Sequence, residues 1–249
     1  MNEMPLVSVV IPFYNCPYAV QAVESVLGQT YAPIEILVVD DASERHTEQL
    51  APYLDRIRYI RRSVNGGTAA ALNRGIEEAK GSYFAWLSSD DRFHPGKIAA
   101  QLDALHRSGR RFCHTGYAYI DGNGNRLPEG EVILSFRDRK ELIATLMKGC
   151  PVNGSSVLMD MELFRRVGLF DERFRYTHDY ELWLRVLPHY EWEYIPVPLL
   201  DYRVHSEMGS KRHGSEQAAE IGMIQQKYRR ALSRLLRREG YACGSSFRF

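Results

Sequence analysis

Carboxylates standing at the ends of apolar runs are the residues best placed to do chemistry in this sequence. The run Tyr83-Phe-Ala-Trp-Leu-Ser-Ser stops on Asp90 and Asp91, and the run Ile34-Glu-Ile-Leu-Val-Val stops on Asp40 and Asp41. Two adjacent carboxylates at the end of a buried strand repel each other, so such a place needs a cation, a hydrogen-bonding ligand or open water. With two such pairs the chemistry divides. One carboxylate can accept hydrogen bonds from the edge of a nucleobase while another holds Mg²⁺ or Mn²⁺ against two phosphates. A further carboxylate, Asp179, lies in Tyr176-Thr-His-Asp-Tyr-Glu-Leu-Trp183, at the head of an apolar stripe with helical spacing. An ordinary Asp, with a pKa of about 4, is ionised at neutral pH.

These side chains need elements that bring them together. Leu6 to Ile11 is a short β-branched apolar run suited to a strand covered on both faces, broken by Pro12-Phe-Tyr-Asn15, and Val20, Val23 and Leu27 then recur at helical spacing. The unit repeats: a strand at 34–39, a helix with Leu50 and Leu54 inward, a short strand at 58–61, a turn at Asn65-Gly-Gly-Thr68, and a helix over 69–79. The strand at 83–87 follows, and Pro95 opens a helix with Ile98, Leu102 and Leu105 in a stripe. Alternating strands and helices predict parallel β-α-β units whose strand exits converge on one sheet edge, where open α/β sheets bind ligands. Pro12–Asn15, Asp40-Asp41 and Ser88–Asp91 belong at that edge.

The second half reads differently. A strand is expected at 112–120, a turn or hairpin tip at Asp121-Gly-Asn-Gly-Asn125, and a helix over 142–147. Small residues at Cys150-Pro-Val-Asn-Gly-Ser-Ser156 allow close backbone approach to a ligand, and late strands are expected at 194–200 and 202–204. The polar segment 205–214 is expected to close over a bound ligand and exclude water. A last helix, 217–238, carries Ile221, Ile224, Tyr228, Ala231 and Leu235 on one face. Lys227, Arg229, Arg230, Arg234, Arg237 and Arg238 dominate the rest of it, as a solvated face or as a contact for anionic lipid. The division this suggests is one domain over 1–214, with a nucleotide-binding half at 1–110 and an acceptor and catalytic half at 111–214, then a basic amphipathic helix and tail at 215–249.

Composition narrows the partners. Among 249 residues, 32 are basic and 31 acidic, for a net charge of +1, so nothing general argues for nucleic acid. Cys16, Cys113, Cys150 and Cys243 have no CxxC spacing, which fits a reducing, cytoplasmic compartment and no structural zinc. No basic-then-apolar leader opens the chain, and no apolar run approaches the ~20 residues of a spanning helix. Any membrane contact would be peripheral. Oligomeric state is not legible.

Taken in order, Val7-Ser-Val-Val-Ile-Pro-Phe-Tyr-Asn15, Val38-Val-Asp-Asp-Ala-Ser43, Asn65-Gly-Gly67 with Ala71-Leu-Asn73-Arg-Gly75, Leu87-Ser-Ser-Asp-Asp91 and His178-Asp179-Tyr-Glu-Leu-Trp183 resemble the family 2 glycosyltransferases. The resemblance implies a GT-A fold: a mostly parallel, Rossmann-like α/β sheet flanked by helices, with a smaller antiparallel acceptor-side portion and a C-terminal amphipathic helix. It also implies an inverting transfer of a sugar from a nucleotide-diphosphate donor, UDP being favoured, to a glycan, lipid-linked or other hydroxyl acceptor in surface polysaccharide or glycan synthesis. By the same resemblance Pro12, Tyr14, Asp41, Asn73, Asp90 and Arg203 would bind the donor nucleotide. Asp91 with His205 would hold Mg²⁺ or Mn²⁺, Asp179 would be the base, and Asn153, Gly154, Ser155 and His178 would shape the sugar or acceptor pocket. Two departures stand out: Ser88-Ser89 where many members carry an Asp before the final pair, and His178 where the motif commonly has Glu. Trp86 and Trp183 lie in apolar patterns and are expected in the core.

Two other readings share some of these features. A metal-dependent nucleotidyltransferase would also use strand-end carboxylates, but would be expected to carry a glycine-rich basic loop where Pro12-Phe-Tyr-Asn15 stands. A silent sugar-nucleotide-binding module would account for Ser88-Ser89 and His178.

Overall fold

The structure is a computed structural model that describes residues 4–208 and 212–240. Cys243 and the rest of the tail, and 209–211 within the expected closing segment, lie outside the described residues. The elements follow in chain order as β1 (Val7–Phe13), α1 (Ala19–Leu27), β2 (Ile34–Asp40), β3 (Arg58–Arg61), α2 (Thr68–Glu78), β4 (Tyr83–Trp86), β5 (Arg92–Phe93) and α3 (Lys97–Ser108). The second half supplies β6 (Phe112–Ile120), β7 (Arg126–Val132), α4 (Arg139–Leu146), β8 (Val157–Asp160), α5 (Glu162–Val167), α6 (His178–Val186), β9 (Trp192–Arg203) and α7 (Gly214–Arg238).

Among the described residues the strands form one sheet in the order β3-β2-β1-β4-β8-β6-β9-β5, with β7 paired to β6. β3, β2, β1 and β4 run parallel, β8 runs against both β4 and β6, and β6 and β9 are parallel. This is a GT-A sheet, mostly parallel in its first half and mixed in its second. Because β8 is antiparallel to β4, the segment entering β8 arrives at the same edge from which β4 leaves. Residues 153–156 thereby meet 88–91.

Alternation along β1 divides the core into two layers. Val7, Val9 and Ile11 pack with α1 and α3, whereas Val10 faces α2 and the layer that also holds α4, α5, α6 and α7. Helix α2 lies directly on the sheet, for a Cβ at Gly75 would stand 2.3 Å from Val10 Cγ1. Helix α4 begins one turn before the expected boundary. The Asp138 carboxylate accepts the Glu141 N–H (2.9 Å) and Glu141 accepts the Arg137 N–H (2.8 Å), a reciprocal cap that extends the helix beyond its apolar stripe.

Three expected elements differ. The helix around Leu50 and Leu54 is only a 3-10 turn, Thr47–Tyr53, in which Leu50 is buried and Leu54 is 53% exposed. Pro52 lies inside it and offers no N–H to continue an α-helical ladder. The two late strands are one, Trp192–Arg203, whose prolines fall between Ile195 and Asp201, where the pairing with β6 shifts register. On α7 the packed face is Ile221, Ile224, Tyr228, Leu232, Leu235 and Leu236, and Ala231 is exposed. An α-helical turn takes about 3.6 residues, slightly more than the spacing of about 3.5 that the expected stripe assumes, so the buried stripe drifts around the helix.

Candidate active site

A cavity of about 740 Å³ opens at the carboxyl edge of the parallel strands, lined by the β1 exit, the β2 exit, the β4 exit, the entry to β8 and the start of α6. Of the expected residues, Pro12, Tyr14, Asp41, Asp90, Asn153, Gly154, His178 and Asp179 line it. Segment 205–208 and the start of α7 add Met208, Arg212, His213 and Gln217.

The two first exits are tied to one another. Asn15, at φ 50°, accepts the N–H groups of Glu44 (2.8 Å) and Arg45 (2.9 Å) on its side-chain oxygen, and its own N–H donates to Ser43 Oγ (3.0 Å). Asn tolerates the left-handed region better than most side chains. Asp40 is wholly structural, accepting from Ser43 N–H, from the Tyr59 hydroxyl and from Arg61. Asp41 sits in the cavity wall, but its oxygens accept from Arg62, from Gly66 N–H (3.0 Å) and from Gly67 N–H (2.7 Å). It therefore fixes the Asn65–Gly67 turn on the rim while presenting its remaining acceptor capacity to the cavity. Gly67, at φ +87°, is suited to that turn.

The Asp pair after β4 divides by depth. Asp90 faces the cavity, with its Oδ2 3.0 Å from His205 Nε2. Asp91 is 1% exposed, and it accepts from the Ser155 hydroxyl (2.9 Å) and the Arg203 N–H (3.0 Å). Burial, with the charge of Asp90 beside it, pushes the Asp91 carboxyl well above the usual carboxylate range. Ser88 donates its N–H to Ser155 Oγ (3.0 Å) and so fastens the β4 exit to the β8 entry. The neighbouring Cys16 thiol donates to the Ser89 carbonyl (3.3 Å), and burial raises it to about 11, which keeps it inert.

Asp179 occupies the first turn of α6, where its Oδ1 accepts the Tyr180 N–H (2.7 Å). Burial raises its carboxyl above the ordinary value, opposed by the charge of His178 and by that N–H. The carboxyl expected from sequence to have an ordinary pKa is thus shifted by its surroundings. Burial pushes the His178 ring the other way, toward its neutral form. That ring lies 5.4 Å from the Trp86 ring, and Trp86 in turn leans on Gly154, where a Cβ would come within 2.1 Å of the indole. Gly154 is small because the indole occupies its side-chain space. Asn153 accepts the Ser155 N–H (2.8 Å) and starts the turn that delivers Gly154.

Four expected roles do not match the geometry. Asn73 does not line the cavity: its side chain spans to the 170–172 loop, donating to Phe170 O and Glu172 and accepting the Phe170 N–H. Arg203, expected at the diphosphate, is fully buried. Its guanidinium donates to the carbonyls of Asp90, Asp121 and Gly122 and to Gln21, and stacks 4.3 Å over Tyr18. The pairing of β9 with β6, Arg203 opposite Ile120, turns this side chain inward. Asp91 likewise points away from the cavity, and Ser155 reaches the site only through Asp91 and Ser88.

Among the described residues no three His, Cys, Asp or Glu side chains gather as a metal cluster. Asp90, which lines the cavity, with His205 in contact with its carboxylate, nevertheless suits a cation that draws the rest of its shell from phosphate oxygens and water, as Mg²⁺ commonly does. The ligand pair that fits is Asp90 and His205 rather than Asp91 and His205. Sequence reasoning passed over Trp86 as a cavity wall, and passed over Arg175, Tyr176, Tyr202 and Arg212. Arg175 and Tyr176 directly precede the His178-Asp179 pair, and that adjacency was the signal available for them.

Residues 8–168 match the family described as "Glycosyl transferase family 2". An uncharacterized glycosyltransferase of Rickettsia felis is 38% identical over 216 residues, which covers 84% of this chain and 36% of that protein. This chain spans about a third of the length of that relative and of its counterparts in Rickettsia conorii and Rickettsia bellii. The Escherichia coli protein named UDP-Glc:alpha-D-GlcNAc-diphosphoundecaprenol beta-1,3-glucosyltransferase WfaP is 33% identical over 192 residues, covering 74% of this chain and 71% of its own length. In structure the chain is similar to S. aureus TarS 1-349 in complex with UDP, with TM-score 0.66 at 18% identity, over 88% of this chain and 64% of that one.

Proposed function

This chain belongs to glycosyl transferase family 2, and from that membership we propose that it moves a sugar, with inversion, from a UDP-sugar to a hydroxyl of a lipid-linked glycan acceptor. The observation that carries the reading is one cavity lined by both Asp90, whose carboxylate is held by His205 behind it, and Asp179. The activity for which the E. coli relative is named supports UDP-glucose as donor and a diphosphoundecaprenol glycan as acceptor, and hence a place in surface polysaccharide assembly.

The division of labour follows from the walls. Pro12, Tyr14 and Asp41 are placed to receive the nucleoside, and Asp41 offers carboxylate lone pairs to a base edge. Asn153, Gly154 and Trp86 bound the side where the sugar would lie, while Arg175, beside Asn65 and Gly67, and Arg212, paired with Glu207, line other parts of the cavity. Asp179 takes the proton of the acceptor hydroxyl as that oxygen attacks the anomeric carbon from the face opposite the departing diphosphate. One C–O bond forms, the bond to the phosphate oxygen breaks, and UDP leaves with the electron pair. A base whose pKa lies closer to the working pH than that of an ordinary Asp takes the proton with more driving force. A divalent ion held by Asp90 and His205 would neutralise charge developing on the leaving diphosphate.

The test is UDP release from a panel of UDP-sugars, with and without Mn²⁺ and a lipid-linked acceptor, followed by the configuration of the new linkage. An inverted product, lost in Asp179→Asn while UDP still binds, is the expected result. Retention of configuration, or normal turnover in that variant, would sink the reading.

A further inference from the structure

The helix that carries Asp179 has no side-chain cap of its own. Thr177 occupies its N-cap position, yet the Thr177 hydroxyl makes no bond to the helix. It donates instead to Oε2 of Glu220 (2.7 Å), which stands on α7. The same carboxylate accepts the N–H of Arg175 on Oε1 (2.8 Å) and the N–H of Tyr176 on Oε2 (3.0 Å). Three donors from three consecutive residues therefore converge on one side chain more than forty positions away. A carboxylate at this place also meets the positive end of the α6 dipole. The packing of α7 holds Glu220 in register. Ile224, Leu232 and Leu236 are buried in the core, and the buried Glu181 of α6 accepts from both Lys227 (2.8 Å) and Tyr228 on α7.

We propose that Glu220 is a positioning residue for the base: its clamp on the backbone of residues 175–177 sets where Asp179 stands in the cavity. The inference rests on the reading of Asp179 as the base. It gives α7 a catalytic task besides covering the core, and it places that task outside the stretch matched to the family, which ends at residue 168. Arg175 and Tyr176, which also line the cavity, are held by the same clamp.

The charge of Glu220 acts as well as its hydrogen bonds. The groups facing Asp179 are His178 on its own helix, Glu220 from α7 and Cys150 from the segment after α4. Burial is the main cause of the raised Asp179 carboxyl, His178 opposes it, and Glu220 adds to it. Removing that negative charge should let Asp179 ionise at lower pH. A residue that only braced the fold would leave the midpoint where it is.

In the full chain, Glu220→Gln retains the shape of the side chain, halves its acceptor oxygens and removes the charge. Hydrogen exchange at the amides of Arg175 and Tyr176 should quicken by about tenfold or more as the local clamp loosens. The ¹³C-carboxyl titration of Asp179 should move to lower pH. Turnover of UDP-glucose should fall about tenfold, on the scale that small misplacements of catalytic groups produce. KM for UDP-glucose should stay within about twofold, since Pro12, Tyr14, Asp41 and Asp90, the proposed donor contacts, lie outside the clamped segment. Thr177→Val removes one donor and keeps the charge, so turnover should fall less and the Asp179 midpoint should hold. Unchanged exchange with an unchanged midpoint in Glu220→Gln would overturn the proposal. So would a loss of kcat and thermal stability together with an unmoved midpoint, which is what bracing alone predicts. Full turnover in Asp179→Asn would remove the base instead, and the exchange measurement would still decide whether the clamp exists.

Discussion

As the proposed base, Asp179 combines two conditions that pull against each other: burial, which disfavours its charge, and a task that requires the charge. The sign is fixed by the role. A base works deprotonated, so kcat should fall as pH drops through a midpoint above the ordinary Asp value of about 4. A pH–rate profile checks this, and an acid limb at or below the ordinary value would contradict it. Stability runs the opposite way. A raised carboxyl favours folding at low pH and loses that contribution as pH rises through the folded-state pKa. Asp179→Asn should therefore lower transfer by about 10²–10⁴-fold while its Tm at neutral pH is equal to or above wild type, the usual exchange of stability for function. Close by, Gly154→Ala should cost about 1–3 kcal/mol, because its new Cβ and the Trp86 ring claim the same space. A Tm unchanged in that variant would show that the indole moves aside freely. Both positions were visible as residue types in sequence, Asp179 from its motif and Gly154 from its small neighbours. The depth that separates Asp90 from Asp91 was not, since adjacent carboxylates read alike until the loop path and the partners Ser155 and Arg203 are known.

At the scale of elements, the strand exits behaved as parallel topology requires, and β1, β2 and β4 were legible almost to the residue because buried parallel strands are near-continuous apolar runs. β9 was less so. Asp201 divided the apolar pattern into two pieces, and only the pairing with β6 shows one continuous strand whose prolines fall at register shifts. The same pairing reverses the role of Arg203, whose sequence context is compatible with pointing in or out. A buried guanidinium bonded to three carbonyls cannot be shortened cheaply. Arg203→Ala strands those acceptors, at roughly 1–3 kcal/mol for each one left unpaired. The expected outcome is a large drop in Tm, with UDP affinity little changed in protein that remains folded. A variant of normal Tm with UDP binding lost would restore Arg203 to the diphosphate.

At the scale of the molecule, the question is whether α7 is an appendage or part of the fold. Its basic residues suggested a tail that meets a membrane, and among the described residues no helix is long and apolar enough to cross one. The basic face includes exposed Arg230, Arg234, Arg237 and Arg238, while the opposite face inserts Ile224, Leu232 and Leu236 between α4 and α6. Sequence periodicity identified such a face but could not say what it covers, because an amphipathic helix has the same pattern against protein as against lipid. The structure makes the difference testable. Ending the chain after residue 213 would uncover the layer that holds α4, α5 and α6 and would strip Glu181 of Lys227 and Tyr228, leaving a buried carboxylate with Arg185 alone. Burying one large aliphatic side chain contributes about 1.5–3 kcal/mol, so three of them approach the whole stability of a typical domain. The truncated chain should be insoluble or unfold without a cooperative transition, whereas reversing the charge of Arg230 and Arg234 should leave Tm within a few degrees of wild type. A truncated chain that melts cooperatively near the wild-type temperature would make α7 an independent appendage, and the clamp on Asp179 would fall with it.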